Sequence, residues 1–554
     1  MFTFDDSPVM YLTASNLLLI FTAFLSIYSF WNVQLFQRKG AFIGVLLLFS
    51  FVLILFRLPI IVFNQAFNPD ENMFVVGAMT LAQDSLYWEA VDGGSSGPFN
   101  FYIITFFCKL FKQPYDYVSA RIVGVTLLVG SIVFNILALR NFFSTSIAFL
   151  STFPAIAFLS TTRYLDFIHF SSEHLPIFLL SVIAYLYAKI STQISVKTST
   201  VFLLGFVAGL LIFTKVQVIP IGFFLTLTTF WLLYQKDSSR FCKHLLFVSL
   251  GASIIPLCVY LIAFRYSFVD KAWLYYIKSN LSYGNHVGML RAIYLSLFDD
   301  INIFLKIIVV LFTCLIVYYL FVKKHFRPNP TSAFIIVFLG STVISIYKTG
   351  FVFHHYLLLL IFPTVFVFAF FLHSLLGFST KRVFSLFSVA VLFLVLSNTL
   401  IYPFVNHFVT TRSERPLRVS KTGEEIIKYS YPNEKIVVWG DEGRLYLETK
   451  RLQGVRWSNS HWGMYSPETQ KVYQQEYVTE FRKESFPVFV DAHTKKQKFM
   501  PRAECGYETL TPLKEIIGKE YRFIGEFDEQ RVYVRKERFE EVNKTISPQY
   551  SSAR

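Results

Sequence analysis

Residues 66–74 read AFNPDENMF, and they follow directly on a run of about twenty apolar residues. Two adjacent carboxylates, Asp70 and Glu71, therefore stand just past the end of a membrane-length segment. Charges at a bilayer edge are costly unless they face water, protein or a ligand. The rest of the chain decides which of these applies.

The chain has 554 residues, is 54% hydrophobic and contains 64 Phe. Its apolar residues come in long runs, which fits a polytopic membrane protein and not one soluble globule. Twelve candidate spans can be drawn: 9–33, 41–63, 118–139, 144–160, 174–190, 198–213, 217–234, 245–264, 301–322, 332–347, 356–374 and 383–402. Residues 1–403 thus form a transmembrane domain whose first outer loop covers about 64–117. Beyond it charges become dense, and 411–554 read as a soluble domain. Its pattern predicts a helix at GEEIIKYS, a strand at KIVVWG, a second helix at PETQKVYQQEYVTEFRKE and a strand at PVFVDA. A hairpin turning at Asp528–Glu529 completes a small α/β domain. The first run has an acidic leader (Asp5, Asp6) and no small-residue cleavage site, which argues against a cleaved signal peptide.

Basic residues in short loops set the orientation. With Arg38 and Lys39 in the cytoplasm, alternating spans place Arg140, Lys189, Lys197, 235–243, 323–327 and 380–382 there too. These loops hold thirteen Lys and Arg and one acid, Asp237. The acidic N-terminus, the Asp70 loop and the tail fall on the opposite side. The net charge of +15 is thereby partly topological. Basic residues are not gathered with aromatics on one soluble face, so nucleic acid is not an expected partner. Cys108, Cys242, Cys258, Cys314 and Cys505 show no ligand spacing and no disulfide framework.

The outer side holds the chemistry. Asp70 follows Pro69 at a helix start, where an acid can serve simply as a cap. Met73, Val76, Met79, Leu81 and Leu86 lie roughly on one stripe, as in a helix on the membrane surface. The apolar stretch 99–108 is short for a span and reads as a second interfacial helix. TTRYLDFIHFSSEHLP, 161–176, brings Arg163, Asp166, His169, Glu173 and His174 to the same side, with Ser171 or Ser172 as a helix cap. Lys215 sits at a break between two apolar runs; it either snorkels or meets a phosphate as a point charge. His354, His355 and Tyr356 stand at the mouth of the eleventh span. Adjacent histidines diverge on a helix, so hydrogen bonding to an anionic head group suits them better than a metal. Residues 265–300, aromatic and basic, read as a flap over a substrate. Cations and acids at one membrane face suit transfer from a lipid phosphate, with a carboxylate as base. In VVWGDEG, Asp441 and Glu442 read as an ordinary loop at a strand end.

In order and sidedness these features resemble the polytopic glycosyltransferases of the GT-C superfamily, in particular bacterial relatives of protein O-mannosyltransferases and of the lipid A aminoarabinose transferase. Asn68-Pro69-Asp70-Glu71 is similar to their first-loop x-P-D-E motif. Gly97, Pro98 and Tyr102 are similar to a K-P-P-L-x-Y-W-like segment, but the lysine is missing at Ser96–Gly97. Arg163 and Glu173 resemble the later outer-loop motif. Gly205, Gly209, Leu210, Thr214 and Lys215 match G-x-x-x-G-L-x-x-x-T-K, and His355, Tyr356 and Pro363 resemble H-Y-x-x-x-x-x-P with one more residue before the proline. Residues 435–457 resemble the start of the outer C-terminal domain of bacterial members. The extra N-terminal span, 9–33, departs from the usual pattern.

The resemblance implies a GT-C-type bundle of about 12 transmembrane helices, mainly α, with two interfacial helices in the first outer loop. It implies a glycosyltransferase of the inner membrane with its active site and C-terminal domain extracytoplasmic. The donor would be a polyprenyl-phosphate sugar and the acceptor a hydroxyl of a glycan, lipid or protein. Asp70 would be the general base of an inverting transfer, and Glu71 and Glu173 would orient acceptor or sugar. Arg163, Lys215 and His355, with His354 and Tyr356 beside them, would hold the phosphate. Some family members use a divalent cation; here the clustered ligands for one are too few to predict it. The rival class is a multi-span transporter or lipid flippase. Against it stand the lack of a repeated half, charges at span ends instead of mid-span, and the outer α/β domain.

Overall fold

The computed structural model describes residues 6–162, 164–284, 287–299, 306–307, 309–311, 329–351, 353–376, 416–460, 462, 465–493 and 502–551. Arg163 and the twelfth apolar run, 383–402, lie outside the described residues, as does most of the ninth, 301–322.

The main helices of the first part of the chain are α1 (Pro8–Trp31), α2 (Lys39–Val62), α3 (Pro69–Leu81), α4 (Pro98–Phe111), α5 (Tyr117–Phe142), α6 (Thr145–Thr161) and α7 (His174–Thr192). They continue with α8 (Thr198–Ile212), α9 (Ile219–Lys236), α10 (Phe241–Arg265), α11 (Met289–Phe298), α12 (Pro330–Tyr347) and α13 (Ile361–Leu376). Taken with the 3-10 turns that run into them, eight helical stretches among the described residues are long and apolar enough to cross a membrane. These are α1, α2, α5, α7, α9, α10, α12 and α13; α4, α6, α8 and α11 are apolar but shorter. Each of the expected spans that falls within the described residues is helical. Large apolar side chains stand exposed on them, among them Leu47, Phe51, Phe223, Leu246, Leu257 and Phe264. A water-facing surface would not present such a belt; lipid would cover it.

The chain divides into two compact units. The first comprises residues 1–63, 121–266 and 284–415, and the second 64–120, 267–283 and 416–554. In the first unit the tightest packing is α8 on α10. A Cβ on Gly205 would lie 2.1 Å from the Val248 carbonyl oxygen, and one on Gly209 2.5 Å from that of Ala252. A Cβ on Gly251 would meet the Phe202 carbonyl oxygen as closely. Small residues let two helix backbones touch where no hydrophobic effect drives them together. Both glycines of the G-x-x-x-G-L-x-x-x-T-K match therefore serve helix packing.

In the second unit a five-stranded sheet has the order β2-β1-β3-β5-β4. The strands are β1 (Lys435–Trp439), β2 (Leu452–Gln453), β3 (Val488–Asp491), β4 (Tyr521–Phe527) and β5 (Gln530–Arg535). β1 runs parallel to both β2 and β3, while β3–β5 and β5–β4 are antiparallel. Helices cover it at α14 (Lys421–Tyr429), α15 (Arg444–Thr449), α16 (Pro467–Lys483), α17 (Thr511–Glu520) and α18 (Lys536–Ser551). The hairpin turns at Asp528 and Glu529, both with positive φ (49° and 66°), as a two-residue turn of right-twisted strands requires. The Asp528 carboxylate accepts from the amides of Lys421 and Thr422 and so also caps α14.

Residues 267–283, expected as a flap, are built into this unit instead. Lys271 pairs with Glu89 at 2.6 Å. Tyr275 packs edge-on against Trp457 and beside Tyr473, and Tyr276 and Phe268 lie against Trp88. Aromatic residues that could have covered a substrate are spent on a buried cluster.

Candidate active site

α3 begins as the sequence demands, with a different cap. Asn68 is the N-cap: its Oδ1 accepts from the Asp70 amide at 2.9 Å, and Pro69 fills the first helical position. Asp70 and Glu71 occupy the first turn, so the Asp70 carboxylate is not used as a cap. Asp70 is half-buried and Glu71 fully buried. The stripe read from the sequence is part of a wider buried surface, since Phe74, Val75, Val76, Ala78 and Leu81 are all covered. α3 packs on α4, on β2 and on α15.

The contact with the C-terminal domain brings a further carboxyl to Asp70. Gly440, with φ +115°, turns the chain after β1, and Asp441 and Glu442 follow. The loop lies so close to α3 that a Cβ on Gly443 would sit 2.8 Å from Asn72 Cβ. Burial, and then the Asp70 and Glu442 charges, push the Asp441 carboxyl up to about 8. Near neutral pH it keeps its proton and can donate a hydrogen bond. The sequence offered Asp441 only as a loop residue at a strand end. Its position at the C-terminal edge of a parallel strand was the available signal.

In the first unit the structure brings together Glu173, Lys215, His355 and Tyr356. Lys215 is 2% exposed and Glu173 0%. The Lys215 ammonium pairs with Glu173 Oε1 and donates to Ser172 Oγ at 2.8 Å. The Tyr356 ring lies 4.4 Å from Lys215 Nζ, and the His355 ring meets Tyr356 edge-on at 4.7 Å. Burial alone would raise the Glu173 carboxyl, but the Lys215 and His355 charges outweigh it and hold it below the usual range. Ser172 does not cap α7; its hydroxyl also reaches Glu173 Oε2 at 3.2 Å. A buried ammonium and carboxylate need those hydrogen bonds more than a helix amide does.

His354 does not join that group. Its Nε2 lies 2.9 Å from Asp299 and its Nδ1 3.4 Å from Asp166. Asp166 is also 3.8 Å from His169 Nε2. Hydrogen bonds from His169 and His354 hold the Asp166 carboxyl well below its usual range. The connection that carries Asp166 is pinned in turn by Arg57. That buried side chain on α2 donates to the carbonyls of Leu159 and Phe167, each at 2.8 Å. Arg57, Ser172 and Asp299 were missed by the sequence reading. Arg57 carried a usable signal, as a charge inside an apolar run. Asp70 and Glu71 belong to the other unit, and Arg163 lies outside the described residues. Among the described residues no three His, Cys, Asp or Glu are grouped as metal ligands would be.

The fold, a mainly helical body of membrane-type helices and a small α/β domain, is similar to that of solved polytopic membrane proteins. Its particular likeness is to the solved structure of ArnT from Cupriavidus metallidurans bound to undecaprenyl phosphate. That match has a TM-score of 0.56 at 13% identity and covers 90% of this chain and 98% of that one. The apo form of the same protein matches with a TM-score of 0.54, also at 13% identity, covering 89% and 98%. An oligosaccharyltransferase from Archaeoglobus fulgidus in the apo form matches at 0.44 and 12% identity, covering 88% of this chain and 74% of that one. No protein-family model matches the chain, and no curated protein does. The aminoarabinose-transferase resemblance drawn from the motifs holds at the level of fold.

Proposed function

We propose that the protein is a glycosyltransferase that moves a sugar from a polyprenyl-phosphate donor to an acceptor hydroxyl at the extracytoplasmic face of the inner membrane. The observation that carries this reading is the buried Lys215 ammonium, held by Glu173 and Ser172 on an ArnT-type fold. An ammonium has three donors. Ser172 and Glu173 engage two, leaving one for a phosphate oxygen.

Asp70 takes the proton of the acceptor hydroxyl. The oxygen attacks the anomeric carbon, the bond from that carbon to the phosphate oxygen breaks, and polyprenyl phosphate leaves with the electron pair, with inversion. The departing phosphate gains one negative charge. Lys215, Arg163 and His355 would offset it, since donors placed where charge develops lower the barrier most. Tyr356 keeps the Lys215 ammonium in place through its ring. Glu71 orients the acceptor or the sugar, and Glu173 does so through its hold on Lys215. Acceptors in this reading are hydroxyls of a glycan, a lipid or a protein.

Asp70→Asn tests the base. With a labelled polyprenyl-phosphate sugar and purified full-length protein, the variant should lose about 10²–10⁴-fold in transfer, the usual worth of a positioned base. Transfer at the wild-type rate overturns the assignment. Wild type that moves lipid across vesicles and never transfers sugar makes the protein a flippase instead.

A further inference from the structure

His354 lies between two carboxylates that come from separate parts of the first unit. Asp166 belongs to the connection from α6 to α7, the same connection that goes on to Ser172 and Glu173. Asp299 is the C-cap of α11. His354 opens the 3-10 turn His354–Leu360, in which His355 and Tyr356 follow directly. One imidazole therefore ties the stretch bearing Glu173 to the turn bearing the ring that covers Lys215.

Only the doubly protonated imidazole can donate from both nitrogens. Neutral imidazole donates once and turns a lone pair toward the other carboxylate, so one arm of the bridge is lost. Among the described residues the charged groups facing His354 are Asp166 and Asp299, and His169 and His355 also act on Asp166. Two acids face one imidazole directly, which favours the cation there.

We propose that Asp166 and Asp299 are positioning residues: through His354 they fix His355 and Tyr356 on the Lys215–Glu173 pair, and the bridge lasts only while His354 is protonated. The role rests on the reading of Lys215 as a lipid-phosphate ligand. His354 itself, assigned to the head group by the sequence, becomes the tie between two acids.

The test uses full-length protein in nanodiscs, with undecaprenyl phosphate as the binding probe and a polyprenyl-phosphate sugar as donor. Asp166→Asn and Asp299→Asn should each raise the donor KM about five- to tenfold with little change in kcat. They should also move the alkaline loss of binding to lower pH, because one carboxylate fewer holds the proton. His354→Gln should bind weakly with no such pH dependence. The melting temperature of wild type should exceed that of Asp299→Asn at pH 6, and the gap should close by pH 9, because an ion pair that needs an imidazolium is lost as pH rises. Wild-type KM and an unchanged pH profile in both Asn variants overturn the proposal. Wild type that binds no undecaprenyl phosphate at any pH overturns the lipid-phosphate reading and with it the positioning role. The bridge itself then stands or falls on the melting gap.

Discussion

Lys215 and Glu173 form a charge pair that water scarcely reaches. Such a pair is a poor source of net stability, because desolvation consumes most of the attraction, yet removing one partner strands the other. Lys215→Met should therefore destabilise the protein by about 3–5 kcal/mol, the usual cost of an uncompensated buried charge. Lys215→Met combined with Glu173→Leu should recover much of the loss in melting temperature while donor binding stays lost. If the double variant is as unstable as the single, the pair is a structural necessity and not a site held ready. Both residues could be placed at span mouths from the sequence but their pairing could not, since Lys215 lies some forty positions beyond Ser172 and Glu173. The cap of α3 was read at Asp70, although the signal for its true position was there. Proline at the first helical position points to the residue before it as the cap, which makes Asn68 and not Asp70 the natural choice.

Whole elements were read more surely than their partners. Periodicity and turn residues located the two parallel strands, the long helix at 467–483 and the hairpin of the C-terminal domain, because each is decided by neighbours in sequence. What residues 267–283 do was not decided locally. Their aromatic residues suit a flap or a core equally, and only the presence of Trp88, Trp457 and Tyr473 in the same unit settles the matter. The glycines of α8 are the reverse case, where a motif known by its letters has a packing cause. Gly209→Ala should drive a methyl against the Ala252 carbonyl and cost about 1–3 kcal/mol, the range for overpacking a tight contact. Gly340→Ala is its control: the position lies within α12 and a Cβ there meets nothing within 4 Å. Alanine's better helix propensity should leave its melting temperature unchanged or raised. Equal losses in the two variants would mean that the α8–α10 approach is looser than it stands here.

For the whole molecule the proposed chemistry depends on sidedness, and sidedness came from charge alone. Loops with thirteen basic residues and one acid are placed in the cytoplasm, and that assignment carries the Asp70 loop and the C-terminal domain to the other side. An acceptor hydroxyl and a donor sugar exposed across the membrane can meet Asp70 only if the loop faces the same compartment as both. Lys514, exposed on α17, and Lys39, exposed at the start of α2, test the two sides. In a background lacking the five native cysteines, Lys514→Cys should react with a membrane-impermeant maleimide added to intact cells, and Lys39→Cys only after the membrane is opened. Cysteine in place of exposed Arg240, on the loop after α9, should behave as at Lys39. The reverse pattern would put the basic loops outside. Asp70 would then face the cytoplasm, and a base for extracytoplasmic transfer would have to be sought elsewhere in the chain.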